Sequence, residues 1–243
     1  MSGLLITATD TDAGKTLLTC ALIAYWQRYC HAYRLGVLKP LQSGPGDREL
    51  YQRLFDLEQP NALLNPIYYD APLAPPIAAR LAQQSIDLTP AWQAYCTLSR
   101  ERDWVLVEGV GGLGSPVTEE LTMADLAADW RLPVVLVVAV RLGAIAQAVA
   151  NVALARQQGL QLRGIVLNYS QPVPSDAADQ LAPASLIASL TQVPVLGTLP
   201  YLDDADDLGS LAQAAKGLSL ERIMPQPFWV KDLTPTRSTS TRS

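Results

Sequence analysis

The chain has 243 residues, of which 49% are hydrophobic and 17% charged, so it can bury a substantial core in one large α/β domain or two smaller ones. Its formal net charge of −5 argues against nucleic acid or an anionic membrane as a partner, because such surfaces select basic faces. The three cysteines, Cys20, Cys30 and Cys96, form no C-x-x-C pair, which argues against a disulfide framework or a zinc site and favours core positions.

No segment of the sequence is typical of secretion or membrane insertion. The first predicted strand begins at residue 4, which leaves no room for a signal peptide. The most apolar run, residues 132–140, is far shorter than the ~20 residues that a spanning helix requires. We therefore expect a cytoplasmic protein with no membrane partner.

Short apolar runs alternate with longer segments of helical character. The predicted strands are 4–7, 35–38, 104–107, 134–139, 164–167 and 195–199, and the predicted helices are 15–29, 48–57, 77–84, 91–102, 123–130, 145–158 and 184–190. Several strands are nearly continuous Val, Leu and Ile, which is typical of strands covered on both faces. The pattern predicts a single-domain α/β fold, a mainly parallel sheet with helices on both faces.

The remaining segments are predicted to be loops. With no Gly/Ser linker, residues 1–224 are expected to form one domain, and residues 225–243 a mobile tail that cannot bury apolar area. Residues 61–76, with four prolines, are predicted to be an extended insertion over the edge of the sheet, and the acidic run 203–207 a solvated loop. The only histidine, His31, is expected to be structural or exposed.

The first strand leads into a predicted phosphate-binding loop, in the sequence LITATDTDAGKTL (5–17). Gly14, Lys15 and Thr16 match the end of the pattern G-x-x-x-x-G-K-[ST], and the helix that follows offers its N–H groups to an anion. Lys15 can reach terminal phosphates and the Thr16 hydroxyl can ligate Mg²⁺. Ala8 stands where the pattern has its first glycine, and its methyl group fits only if the local φ is negative.

Polar side chains also follow two later strands. GVLKPLQSG (36–44) places Lys39 and Ser43 beyond a strand's carboxyl end, where open α/β sheets bind ligands. WVLVEGVGG (104–112) places Glu108 at a strand tip, where a carboxylate can hold the Mg²⁺ that bridges phosphates. Asp47 is a further candidate metal ligand, although in isolation an aspartate there is more often a helix cap.

Five motifs together carry a family resemblance. TDTDAGKT, KPLQSG, VEGVGG, RLGAIAQAVA and the strand end VLN occur in that order over residues 4–202, and the set resembles the dethiobiotin synthetases, P-loop enzymes of biotin biosynthesis. The resemblance implies a homodimer that makes the ureido ring of dethiobiotin from 7,8-diaminopelargonic acid, CO₂ and MgATP. Three positions depart from the family pattern, with Ala8 where the first loop glycine is expected, Pro76 where histidine is expected and Arg141 where lysine is expected.

The resemblance also implies residue roles. Two lysines neutralise the γ-phosphate and the carbamate, and two hydroxyls bind the carbamate or the diamine. These catalytic residues are Lys15, Lys39, Thr11 and Ser43. The nucleotide is bound by Asp12, Ala13, Gly14, Lys15, Thr16, Leu17, Asn168, Pro200 and Tyr201, with Asn168 on the adenine edge. Mg²⁺ is held by Thr16, Asp47 and Glu108. Substrate contacts come from Thr11, Lys39, Ser43 and Gly111, and from a helix N-terminus of the partner subunit that captures the substrate carboxylate: Leu142, Gly143, Ala144 and Ile145.

Three other functions stay open. An amide-forming P-loop ligase usually carries a glutaminase domain, for which too little chain follows residue 202. A partition or septum-positioning ATPase has a second lysine early in the loop, at the position of Asp10 here, and often a basic amphipathic helix at its end. A silent regulatory domain of the same fold is opposed by the intact motifs.

Overall fold

A computed structural model describes residues 3–30, 32–172 and 180–225, and its central feature is a six-stranded parallel sheet. The strands are β1 Gly3–Ala8, β2 Leu35–Leu38, β3 Leu41–Ser43, β4 Ile67–Tyr69, β5 Trp104–Glu108, β6 Val134–Ala139, β7 Leu162–Asn168 and β8 Val195–Leu199. The order across the main sheet is β2-β5-β1-β6-β7-β8, while β3 and β4 pair as a separate parallel ribbon.

The position of β1 between β5 and β6 determines where a ligand can bind. Ile6 lies opposite Glu108 on one side and Val135 on the other, so the carboxyl ends of all three strands meet at one edge. After β1 the chain continues to β2 on one side of β1, whereas after the neighbouring β6 it continues to β7 on the other side, so the connections from β1 and β6 run in opposite directions. Ligands of open parallel sheets bind at such a reversal, outside the carboxyl ends of the strands.

Helices cover both faces of the sheet. They are α1 Lys15–Tyr29, α2 Asp47–Leu54, α3 Asn61–Leu64, α4 Pro75–Leu81, α5 Thr89–Glu101, α6 Met123–Asp129, α7 Ala144–Gln157, α8 Ala184–Thr191, α9 Leu208–Lys216 and α10 Leu220–Ile223. On one face the side chains of Leu4 and Ile6 pack with α1 and α9. On the other face Leu5 packs with α5 and α6, and β6 and β7 pack with α7 and α8. Strands buried on both sides explain why their sequences are apolar throughout.

The predicted fold class is confirmed, and the predicted core cysteines Cys20 and Cys30 are buried, with Cys96 half-buried. The prediction of an extended insertion over 61–76 is wrong in its conformation, because the segment holds α3, β4 and the start of α4. It does lie at the sheet edge, where Leu64 O accepts a hydrogen bond from Lys39 N (2.7 Å) beyond the end of the edge strand β2.

The acidic run 203–207 is exposed, as predicted, but it also begins a helix that the sequence analysis did not find. Asp207 accepts hydrogen bonds from the N–H groups of Gly209 (3.2 Å) and Ser210 (2.9 Å) and so caps α9, which packs on α1. The predictions for His31 and for the tail beyond Pro225 lie outside the described residues.

Within the described ranges, every helix is too short or too polar to cross a membrane.

The start of α2 depends on a charged side chain. Glu49 Oε2 accepts hydrogen bonds from the N–H of Gly46 (2.8 Å) and from Gln42 Nε2 (3.0 Å). Partial burial works to raise the pKa of Glu49, but the N–H of Gly46, its own N–H and the Arg48 guanidinium outweigh it and lower the pKa to about 2. The ionised carboxylate therefore stabilises the folded state above pH 4.5, and this stabilisation is lost as the pH falls towards 2.

We predict that Glu49→Gln lowers the free energy of unfolding by about 0.5–1 kcal/mol at pH 7, as expected for a weakened helix start. In urea titrations, the difference from wild type should shrink as the pH is lowered from 4.5 towards 2. The exposed Glu120→Gln serves as control and should match wild type at pH 7. A Glu49→Gln deficit that did not change with pH would contradict the assignment.

Candidate active site

The loop between β1 and α1 has the conformation of an anion-binding loop. Gly14 lies in the left-handed region at φ 102°, and a Cβ there would lie 2.0 Å from Asn168 Nδ2, so only glycine fits. The first turn of α1 has neither a side-chain cap nor an acidic residue, which leaves its N–H groups and the positive end of the helix dipole for a bound anion. Ala8 is the last residue of β1 and has no positive φ, so its methyl group fits.

Lys15 folds back over this loop. Its Nζ donates to the carbonyls of Thr11 (2.8 Å) and Asp10 (3.3 Å), and the side chain is buried. Burial, and after it repulsion from Lys39, lower the pKa of Lys15 to about 8. Additional negative charge beside this ammonium group would favour its protonated form.

Asp10 ties the loop to the neighbouring strand connection. Its Oδ1 accepts from the N–H of Thr11 (2.8 Å) and its Oδ2 from Arg141 Nη2 (2.6 Å), beyond the end of β6. The N–H of Thr11 and the Arg141 guanidinium lower the pKa of this exposed carboxyl. Arg141, where the family resemblance implies lysine, is thus a partner of the phosphate loop.

Three oxygen-bearing side chains converge beside the loop. Thr16 Oγ1 lies 2.9 Å from Asp47 Oδ1 and 3.0 Å from Glu108 Oε1, which brings together the first turn of α1, the start of α2 and the tip of β5. Hydroxyl and carboxylate oxygens are the ligands that Mg²⁺ prefers. Groups of three or more His, Cys, Asp or Glu that could hold a metal are absent from the described residues. These three side chains fit an ion that completes its coordination with waters and phosphate oxygens.

Lys39 neutralises the two carboxylates. Its buried Nζ lies 2.5 Å from Asp47 Oδ2 and 2.9 Å from Glu108 Oε1, and it also donates to Gly109 O (3.1 Å). Burial works to lower the pKa of Lys39, but the two carboxylates outweigh it and raise the pKa above its usual value. Burial likewise works to raise the pKa of Asp47, and Lys39 and Thr16 hold it below its usual value.

Tyr51 contacts the same cluster from α2 and was not predicted from the sequence. Its fully buried hydroxyl donates to Glu108 Oε2, the oxygen that faces away from Thr16 and Lys39. Burial, and after it the charge of Glu108, raise the pKa of Tyr51 well above its usual value. A signal was available, because Tyr51 follows Asp47 by four residues and one helical turn places both on the same face.

Ser43 and Gly111 lie at the same edge of the sheet. The Ser43 hydroxyl, at the end of β3, is buried and has no hydrogen-bond partner among the described residues. An added Cβ on Gly111 would come within 3.7 Å of Thr11 Oγ1, so the glycine-rich turn after β5 approaches the phosphate loop. A buried hydroxyl without a partner is costly, and one at a strand end is available to a ligand.

Asn168, at the end of β7, contacts the loop directly. Its Nδ2 donates to Ala13 O (3.0 Å), while its buried Oδ1 has no partner within the described part of the chain. Pro200 and Tyr201 follow the neighbouring β8 at the same edge, and Tyr201 is 42% exposed.

Four of the predicted residues stand apart from the cluster, at the start of α7. Leu142 is 90% exposed, Gly143 is the left-handed residue before the helix, Ala144 is buried and Ile145 is partly buried. The first turn of α7 has neither a side-chain cap nor an acidic residue. Among the described residues, the Arg141–Asp10 ion pair connects the segment that leads into α7 to the phosphate loop.

Comparisons of sequence place the chain among known proteins. A family model described as an AAA domain matches residues 2–207. The chain is 53% identical to the ATP-dependent dethiobiotin synthetase BioD of Gloeothece citriformis, over 93% of this chain and 100% of that protein. It is 50% identical to the protein of the same name from Crocosphaera subtropica, over 92% of this chain and 100% of that one, and 44% identical to that of Synechocystis sp., over 90% and 94%.

Solved structures share the fold at much lower identity. The MinC:MinD cell division complex of Aquifex aeolicus matches with a TM-score of 0.52 at 12% identity, over 88% of this chain and 86% of that one. A ParA family ATPase from Chlorobium tepidum gives the same TM-score and identity, over 93% and 94%. These two likenesses show the fold alone.

Gly14→Ala should weaken binding of a nucleoside triphosphate by at least ~100-fold, because the new methyl group both strains the backbone and displaces Asn168. Isothermal titration calorimetry measures the affinity. The control is Gly159→Ala, another left-handed position whose Cβ would meet nothing within 4 Å. It should lose about 1–2 kcal/mol of stability and bind the nucleotide normally. Equal binding by both variants would contradict the geometry of the loop.

Proposed function

The chain belongs to the family of ATP-dependent dethiobiotin synthetases, and on that premise we propose how its own residues close the ureido ring of dethiobiotin. The substrates are 7,8-diaminopelargonic acid, CO₂ and ATP. One amine and CO₂ form a carbamate, a carbamate oxygen attacks the γ-phosphate with release of ADP, and the second amine displaces phosphate to close the ring. The observation that carries the proposal is the Lys39–Asp47–Glu108–Thr16 cluster beside the phosphate loop, in which Lys39 and Glu108 are buried.

The phosphate loop binds the triphosphate through backbone and lysine. The N–H groups of the first turn of α1, which have no side-chain cap, bind phosphate oxygens, as does the N–H of Gly14. Lys15, now bonded to the carbonyls of Asp10 and Thr11, exchanges them for the terminal phosphates. Burial, and after it Lys39, oppose the protonated form of Lys15, and bound phosphates would favour it. Asp12, Ala13 and Leu17 line the same site.

Thr16, Asp47 and Glu108 are the residues that would hold Mg²⁺. When bound there, the ion would neutralise negative charge on the β- and γ-phosphates. The two carboxylates approach Thr16 from α2 and β5, so the donors belong to rigid elements.

Lys39 stabilises the charge of the carbamate and of the transferring phosphoryl group. It is buried, already protonated, and bound to two carboxylates that would be shared with the ion. A fixed ammonium group in a water-poor site stabilises developing charge more than a solvated one. Its role is positioning and charge, because phosphoryl transfer asks for little covalent chemistry from the protein.

The diamine and the base are bound at either side of this centre. Ser43 and Thr11 supply hydroxyls to carbamate or diamine, and Gly111 supplies close backbone approach. Asn168 offers its unpartnered Oδ1 to the exocyclic amine of adenine, beside Pro200 and Tyr201.

The active site is completed by a second copy of the chain. The start of α7, with Leu142, Gly143, Ala144 and Ile145, would receive the substrate carboxylate of the partner subunit at a helix N-terminus. The exposure of Leu142 supports this arrangement, because an exposed apolar side chain in this turn is suited to contact with a second subunit. We place the enzyme in the cytoplasm, where ATP is supplied.

The function is tested by incubating the protein with 7,8-diaminopelargonic acid, bicarbonate, Mg²⁺ and ATP. We expect equal amounts of phosphate and of a ureido product, detected by mass spectrometry, and almost no phosphate when the diamine is omitted. Phosphate release that needs no diamine and yields no ureido product would contradict the proposal and favour a switch ATPase.

Ser43→Ala tests the placement of the diamine without a penalty to folding, since the Ser43 hydroxyl has no hydrogen-bond partner to lose among the described residues. The melting temperature should be unchanged or slightly higher. The KM for the diamine should rise about tenfold, as for one lost hydrogen bond, while the KM for ATP stays unchanged. An unchanged KM for the diamine would show that Ser43 does not touch it.

Mixed dimers test the shared site. Lys15→Gln removes the phosphate-binding lysine, and Leu142→Glu places a negative charge where the partner's substrate carboxylate is proposed to bind. Each variant alone should be nearly inactive at low diamine concentration, and both should sediment as dimers. Mixing and re-equilibrating them should restore roughly a quarter of wild-type activity, because half of the dimers are mixed and each holds one intact site. If the subunits exchanged and no activity were recovered, a shared site would be contradicted.

A further inference from the structure

Helix α2 has an unusual distribution of burial. It is polar along most of its length, and Tyr51 is its one buried residue. The same helix begins at Asp47, a candidate metal ligand, one turn before Tyr51. The contact that Tyr51 makes is therefore one of those that fix the position of the Asp47 carboxylate, beside the packing of Leu50 and Leu54 on the core.

That contact is with the other candidate metal ligand. The Tyr51 hydroxyl donates to Glu108 Oε2, while Glu108 Oε1 accepts from Thr16 (3.0 Å) and Lys39 (2.9 Å). Glu108 is fully buried, so its carboxylate plane is held by three donors on two oxygens without competition from water. Removing the Tyr51 hydroxyl would leave Oε2 buried without a partner and free the carboxylate to rotate.

We propose that Tyr51 is a positioning residue of the metal site: its hydroxyl orients Glu108 and, through α2, holds the separation between the Glu108 and Asp47 carboxylates that Mg²⁺ requires. The inference rests on the proposed function, in which these carboxylates bind the ion. Donors behind a ligating carboxylate commonly change metal affinity by 10–100-fold when removed. Tyr51 itself touches neither substrate nor phosphate in this proposal.

The test is direct metal binding by Tyr51→Phe, which keeps the ring and removes only the hydroxyl. Mn²⁺ is titrated into each protein with a non-hydrolysable ATP analogue and followed by electron paramagnetic resonance. We expect Tyr51→Phe to bind Mn²⁺ at least ~10-fold more weakly than wild type, with unchanged affinity for the analogue in the absence of metal. The control, Tyr95→Phe, removes a buried tyrosine hydroxyl on α5 and should bind Mn²⁺ as wild type does.

The outcomes separate the two proposals. If wild type itself bound the analogue without any effect of metal, the proposed metal site would be wrong. If wild type bound Mn²⁺ and a folded Tyr51→Phe bound it equally well, the role of Tyr51 alone would be overturned.

A second measurement needs no variant and decides the matter if Tyr51→Phe does not fold. In wild type, adding Mg²⁺ to the analogue complex should slow amide hydrogen exchange in α2 from Asp47 through Tyr51. Protection confined to Asp47 and the phosphate loop would show that α2 is not positioned through Tyr51.

Discussion

The burial of a carboxylate at the tip of β5 is the constraint on which the rest of the site depends. Glu108 has no access to solvent, and a lone buried charge is strongly unfavourable. Lys39, Thr16 and Tyr51 satisfy it, and these three come from the end of β2, the start of α1 and the middle of α2. Because replacing a buried ion pair by apolar residues is often neutral for stability, such a cluster is better explained by binding than by folding.

Much of this arrangement could be predicted from sequence, because it follows strand ends. Buried parallel strands are continuous in Val, Leu and Ile, and polar residues directly after them meet at one edge, which located Lys39 and Glu108. The three-residue strands β3 and β4 could not be predicted, since so short a run among prolines has no recognisable periodicity. Tyr51 was missed because a tyrosine in a polar helix has the pattern of a core anchor; its spacing from Asp47 places it on the same helix face, and its contact with Glu108 shows its place in the site.

The fold by itself does not distinguish this chain from the MinC:MinD cell division complex and the ParA family ATPase, which share it at 12% identity. The difference lies in the loop. At the loop position where the sequence analysis expects a second lysine in a partition or septum-positioning ATPase, this chain has Asp10, whose carboxylate pairs with Arg141 of the same chain. A negative charge at that place neutralises a neighbouring guanidinium, whereas a lysine would add positive charge beside the phosphates. The alternative of a switch ATPase is therefore opposed by a contact as well as by the family membership.

Asn168 limits how this site could be redesigned. The amide nitrogen donates to the carbonyl of Ala13 in the phosphate loop, and the side chain fills the space that a Cβ on Gly14 would need. The amide oxygen has no hydrogen-bond partner in the described part of the chain. In the proposed function the same amide reads the adenine edge, so a substitution meant to change which base is accepted would also loosen the loop proposed to bind the phosphates. That role would couple base selectivity and phosphate affinity through one side chain. Substitutions intended to change base selectivity without weakening phosphate binding should begin at Pro200 and Tyr201, which follow the adjacent strand.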